Sequence, residues 1–113
     1  MKRGEVWLIN LDPTIGAEIK KSRPAIIVND DAIGILPLKV IVPVTEWKEH
    51  YAAAPWLVRL LPDSDNGLDK PSAADAFQVR SVSQKRFIRR LGKLSDTALN
   101  AVTEALTVVL CIR

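Results

Sequence analysis

Up to position 95 the apolar residues of this chain come in short runs, each cut off by a turn former; beyond it the spacing becomes that of a helix. This pattern limits the fold more than any other feature, because only the last segment combines helical spacing with a cap. Glu5 to Leu11 (EVWLINL) reads as a β-branched and aromatic strand stopped by Asp12-Pro13, and Asp12 to Ser22 reads as a loop. Pro24 to Asn29 (PAIIVN) is continuously apolar, as a strand buried on both faces should be. A turn follows at Asn29-Asp30-Asp31, with Gly34 and Pro37 in the same loop. Lys39 to Val44 is the third expected strand, with Pro43 at an edge or a bulge; Pro55 to Leu61 is the fourth and Ala74 to Val82 the fifth. Ser83 caps a short helical turn before an extended Phe87 to Leu91. Ser95 or Asp96 can then cap a helix in which Leu99, Val102, Leu106, Val109 and Leu110 recur at helical spacing. Short strands and one terminal helix predict a small antiparallel, barrel-like sheet closed by that helix, in one domain spanning residues 1–113.

Apolar residues make up 48% and charged residues 26% of the 113, a balance that predicts a packed core and excludes a disordered chain. The formal charge of +3 suits a polyanionic partner, and its distribution is uneven. Lys85, Arg86, Arg89, Arg90 and Lys93 form one cluster, and Lys20, Lys21 and Arg23 another. There is no run of about 18 apolar residues for a membrane span and no secretory pattern after Met1. The one cysteine, Cys111, lies in an apolar run and is expected to be a buried free thiol, consistent with a reducing compartment. The expected location is the cytoplasm.

The residue inventory removes several chemistries. His50 and Cys111 are single, which disfavours a zinc site, and the five glycines are scattered, so no phosphate-binding glycine loop exists. A serine triad would have to use His50, from a polar loop. No metal or cofactor is expected. Chemistry limited to Arg, Lys, Thr, Ser, Asp, Glu and Gln suits a substrate that brings its own nucleophile, and the 2′-hydroxyl of RNA is one. A protein then needs to orient that hydroxyl and stabilise charge on the phosphoryl oxygens, a task that the guanidinium fork matches bidentately.

The segment KRGEVWLINLDPTIGAE (residues 2–18) resembles the opening of the MazF/PemK toxins. The resemblance continues, in order, through SRPAIIV (22–28), VIVPVTEW (40–47), FQVRSVSQKRF (77–87) and LGKLSDTAL (91–99). It implies a strongly curved, SH3-like antiparallel barrel with a C-terminal helix, acting as a homodimer. It also implies sequence-specific cleavage of single-stranded RNA that leaves a cyclic phosphate, and an antitoxin that covers the RNA groove.

The resemblance assigns the catalytic pair to Arg23 and Thr45. Arg23 would stabilise transition-state charge rather than donate a proton, since a guanidinium stays protonated; otherwise it is a solvated loop-end cation. Thr45 would bond the scissile phosphate or the 2′-hydroxyl, or is simply a strand-end threonine. The loop Asp12 to Glu18 resembles the mobile loop beside the groove, with Glu18 in a supporting role. Gln78 and Arg80 match a groove-lining strand and, at a spacing of two, should share a face.

The chain departs from the family pattern in two places. An acidic residue often precedes the glutamine and has been considered a general base; here that residue is Phe77, with Asp75 two positions earlier. Thr45 is followed by Glu46 and Trp47 instead of small polar residues. Glu46 is expected to turn away from the phosphate or to alter base preference. Trp47 either stacks on a base, a contact worth roughly 1–3 kcal/mol, or packs in the core. The run from Lys85 to Lys93 is either a track for RNA or a solvated strand face. Two other activities remain on such a fold: inhibition of gyrase, which acts through an aromatic C-terminal end that residues 108–113 lack, and non-catalytic RNA binding.

Overall fold

A computed structural model describes residues 1–33 and 36–113; Gly34, expected in a loop, lies outside the described residues. The strands are β1 (Glu5–Asn10), β2 (Ser22–Ile27), β3 (Leu38–Glu46), β4 (Leu57–Leu60), β5 (Ser72–Asp75), β6 (Arg80–Ser83) and β7 (Phe87–Lys93), followed by the helix α1 (Asp96–Leu110). They form one antiparallel sheet in the order β4-β5-β3-β2-β1-β7, with β6 also paired to β3. The expected curved antiparallel sheet with a terminal helix is thus present, although it curls without closing.

The long strand β3 makes the curl possible. On one edge it follows β2; on the other it pairs with β6 through Ile41 and with β5 from Val44 onward. Pro43 sits at that change of partner, where a missing N–H takes nothing from either ladder. Two register shifts between β1 and β7, at Val6/Trp7 and Leu8/Ile9, add local twist at the other end.

PAIIVN behaves as its composition predicts. Ile26 and Val28 join Val6, Val42 and Val44 beneath Val102 of α1, while Ala25 and Ile27 join Ile9, Leu11, Ile41 and Val82 on the opposite face. Each fully buried side chain of this size contributes roughly 1.5–3 kcal/mol. Ser95, not Asp96, caps the helix by accepting a bond from the Ala98 amide at 3.1 Å. Arg3 ties the N-terminus to α1, donating to the Thr103 hydroxyl at 2.8 Å and to the Val28 carbonyl.

Three expectations are corrected. The single strand expected from Ala74 to Val82 is two strands, β5 and β6, separated by a 3₁₀ turn at Ala76–Gln78. Asp75 starts that turn by accepting from the Phe77 amide at 3.1 Å, a local bond that competes with the ladder. Gln78 and Arg80 therefore do not share an alternating strand face. Cys111 is exposed rather than buried, because α1 ends at Leu110 and Cys111 forms its left-handed C-cap at φ 54°.

The two ends of the sheet are joined by a loop instead of a ladder. The Lys93 amide donates to the Asp65 carbonyl at 2.8 Å, which presses the β4–β5 loop onto β7. A Cβ at Gly67, whose φ is +70°, would stand 2.1 Å from the Leu91 carbonyl oxygen, and one at Gly92 would stand 2.1 Å from that of Asp65. Only glycine allows so close an approach. No helix among the described residues is long and apolar enough to cross a membrane.

Candidate active site

Along β2 the residues Arg23, Ala25 and Ile27 alternate onto one face, and along β3 so do Ile41, Pro43 and Thr45. Both series begin in the core cluster beneath Val82 and end at a polar residue. The β2–β3 ladder pairs Ala25 with Pro43, and continuing its register by two residues sets Arg23 opposite Thr45. The two line one cleft of about 360 Å³ with Glu46, Lys70, Arg89 and Arg90. Residues far apart in sequence thus meet where the apolar face runs out.

Arg23 is half-buried, and its Nε donates weakly to the Lys20 carbonyl at 3.4 Å. Its other N–H donors have no partner among the described residues, so the planar fork is available to an oxyanion. The Thr45 side chain has no hydrogen-bond partner there either, while its backbone is held by β5 through Ala73. The carboxylate of Glu46 lies 3.6 Å from the Lys70 ammonium, so its charge is partly matched at the rim.

Thr45 also borders a second cavity, of about 530 Å³, with His50, Tyr51, Trp56, Asp75 and Gln78. Burial pushes the Asp75 carboxyl above its ordinary value, against the pull of hydrogen bonds from the Phe77 amide and from Gln78. Gln78 uses both ends of its amide on the β1–β2 loop, accepting from the Ile19 amide at 2.6 Å and donating to the Ala17 carbonyl at 3.2 Å. It holds the loop as well as lining the cavity.

The remaining expected residues lie elsewhere. Glu18 is exposed, accepts from the Ile15 amide at 2.8 Å and shares a third cavity with Gln78 and Arg80. Arg80 donates to the Leu11 carbonyl at 3.2 Å and so anchors the end of β1. Trp47 is half-buried outside both core clusters, edge-on to Tyr51 with the Arg59 guanidinium 5.5 Å over its ring. The basic run divides by residue: Arg86 donates to the Asn10 and Asp12 carbonyls, whereas exposed Arg89 and Arg90 reach the cleft, and Arg90 also lies 3.8 Å from Glu5.

The sequence reading missed His50, Tyr51 and Trp56 as cavity residues. Their signal was weak, because the wall becomes visible only once the 3₁₀ turn Glu49–Ala53 folds beside β4. It also missed the Asp69-Lys70 side of the cleft, which the glycine contact places there.

The family model for the PemK-like, MazF-like toxins of type II toxin-antitoxin systems matches residues 2–110. The chain belongs to that family. It is similar to endoribonuclease MazF9 of Mycobacterium tuberculosis, at 34% identity over 112 residues covering 94% of this chain and 92% of the relative. Endoribonuclease PemK of Escherichia coli is also 34% identical, over 97% of this chain and 82% of its own length. In three dimensions the fold matches a crystal structure of MazF from Deinococcus radiodurans with TM-score 0.82 at 24% identity, over 99% of this chain and 97% of that one. A mycobacterial endoribonuclease in complex with its cognate antitoxin matches with TM-score 0.79 at 20% identity, over 100% and 97% of the two chains.

Proposed function

We propose that residues 1–113 form one toxin domain that cleaves single-stranded RNA at short specific sequences, without metal or cofactor. The observation that carries this reading is the placement of Arg23, whose terminal guanidinium N–H groups have no partner among the described residues, in one cleft with the Thr45 hydroxyl. The substrate's 2′-hydroxyl gives up its proton to solvent as its oxygen attacks the adjacent phosphorus; the bond to the 5′-oxygen breaks and that oxygen takes up a proton from solvent, leaving a 2′,3′-cyclic phosphate and a 5′-hydroxyl. Charge grows on the phosphoryl oxygens as the attack proceeds, and a preorganised guanidinium stabilises it more than it stabilises the ground state. The Thr45 hydroxyl donates to the same phosphate or holds the 2′-hydroxyl in line. Arg89 and Arg90 at the cleft attract the flanking backbone.

Both curated relatives described above are named endoribonucleases, which favours cutting over gyrase inhibition or passive RNA binding. The protein acts in the cytoplasm as a homodimer, and a cognate antitoxin covers the cleft. Light scattering should accordingly give a mass about twice 12.5 kDa. The decisive experiment incubates the purified protein with a long RNA in EDTA. Cleavage should persist, and a substrate with deoxyribose at the cut position should resist it. Loss of activity in the chelator would refute the metal-free mechanism.

A further inference from the structure

We propose that the cavity on the far side of Thr45 takes one unpaired nucleobase next to the cut, and that Asp75 selects a base carrying an exocyclic amine over uracil. The inference rests on the nuclease reading and adds to it the identity of what the cavity reads.

Thr45 borders both cavities, so a nucleotide whose phosphate lies beside Arg23 has this second space adjoining it across one residue. Its walls are of the kind that hold a planar ring. Trp56, 39% exposed, lies edge-on to Phe77 with ring centroids 6.1 Å apart, and His50 and Tyr51 form another edge-on pair at 4.7 Å. At about 530 Å³ the space lies within the range of small-molecule sites. Stacking on aromatic rings suits any base and does not by itself discriminate.

Discrimination needs a polar group of fixed sense; the hydroxyls of Thr45 and Tyr51 and a neutral His50 ring can each donate or accept, which leaves Gln78 and Asp75. Gln78 has both ends of its amide on the backbone of the β1–β2 loop and has little left for a ligand. Asp75 accepts from the Phe77 amide and from Gln78, and a carboxylate with two oxygens and about four lone-pair sites keeps capacity to accept more. It stands on a rigid frame: Leu57 pairs with Asp75 across β4 and β5, and the Trp56 carbonyl accepts from the Ala76 amide at 3.0 Å. The stacking ring and the carboxylate are therefore fixed relative to one another. An acceptor held there favours the amino groups of adenine, cytosine and guanine, and it meets an unfavourable carbonyl oxygen at the corresponding place on uracil.

Sequencing the cut ends of a long RNA tests the assignment. Wild-type cuts should share, at one fixed position beside the cut, a base with an exocyclic amine, and uracil there should be cut about tenfold or more slowly, the effect of one charge-assisted hydrogen bond. Asp75→Asn keeps the shape but offers an N–H donor, so the ratio should fall toward unity or invert. Trp56→Ala should weaken the preference at the same position. Unchanged preferences in both variants, or equal acceptance of uracil by the wild type at every flanking position, would overturn the proposal.

If the wild type cuts no RNA, the nuclease reading fails and the cavity is judged by binding instead. The same measurement serves for any variant that no longer cuts. Uncleavable 2′-O-methyl oligomers of adenosine, cytidine and uridine are titrated against tryptophan fluorescence, with Trp56→Phe as the reference. At least one amine-bearing oligomer should quench with a Kd about tenfold below that of oligo-uridine, and the difference should vanish in Asp75→Asn. Equal quenching by all three would overturn the proposal.

Discussion

Thr45 stands between two cavities, and Arg23 borders only one of them. The two residues are therefore expected to fail differently. Arg23→Ala should lose roughly 10²–10³ in cleavage rate, as removal of one preorganised donor does. Its melting temperature should stay near wild type, since Arg23 makes one long hydrogen bond to Lys20. Arg23→Lys should recover little, because an ammonium lacks the bidentate fork. Thr45→Ala should lose rate and also blur base preference, while Thr45→Ser keeps partial activity. Wild-type rates in Arg23→Ala would refute the assignment of the cleft.

Gln78 should act as a latch rather than a reader. Gln78→Ala removes two hydrogen bonds to the β1–β2 loop, each worth about 0.5–1.5 kcal/mol. Amide exchange at Ile19 should accelerate, and KM should rise more than kcat falls. Exchange at Ile19 unchanged from wild type would show that other contacts hold the loop.

Asp75 links stability to pH. Its carboxyl titrates above the ordinary value because it is buried, so the native state binds this proton more readily than the unfolded chain. From the unfolded value up to the raised native value, the contribution of this group to stability falls as pH rises. Asp75→Asn keeps an acceptor for the Phe77 amide and removes the half-buried charge. It should melt higher than wild type at pH 7, with the gap closing toward pH 4. A gap that widens on acidification would contradict the sign.

The basic run should separate into two tasks. Arg89→Ala should weaken RNA binding and lower the slope of log affinity against log salt by about one, as loss of one phosphate contact does. Arg86→Ala should leave that slope alone and lower the melting temperature, because Arg86 donates to the Asn10 and Asp12 carbonyls. Identical behaviour of the two variants would argue against this division.

Gly67→Ala should be severe. The added methyl meets the Leu91 carbonyl oxygen at 2.1 Å, and φ +70° is unfavourable for alanine, so a loss of more than about 2 kcal/mol is expected in chemical denaturation. Asp69→Ala, on the exposed part of the same loop, should change stability by less than about 0.5 kcal/mol.

How much of this was legible in the amino acids depended on the range of the forces involved. PAIIVN declared a strand buried on both faces because its burial follows from its own composition. The helix after Ser95 was equally local, since cap and stripe are both read within a few turns. The break at Asp75 was not legible: Ala74 to Val82 contains no glycine or proline, and local hydrogen bonds from Phe77 and Gln78 to the Asp75 side chain turn the chain. Arg23 and Thr45 came from resemblance, whereas their meeting depends on a ladder register that no short segment encodes. The aromatic cavity depended on tertiary placement even more, because Tyr51, Trp56 and Asp75 become neighbours only after β4 pairs with β5.

The contact of the β4–β5 loop with β7 has a use for engineering. The loop is clipped to the strand through the backbone, at Gly67, Gly92 and the Lys93 amide, whereas Asp69 and Lys70 extend from it into the cleft as exposed side chains. Attachment and lining are thus carried by different atoms of one segment. A library randomised at positions 69 and 70 with both glycines kept would alter the chemistry met by an incoming strand while the seam of the sheet stayed shut.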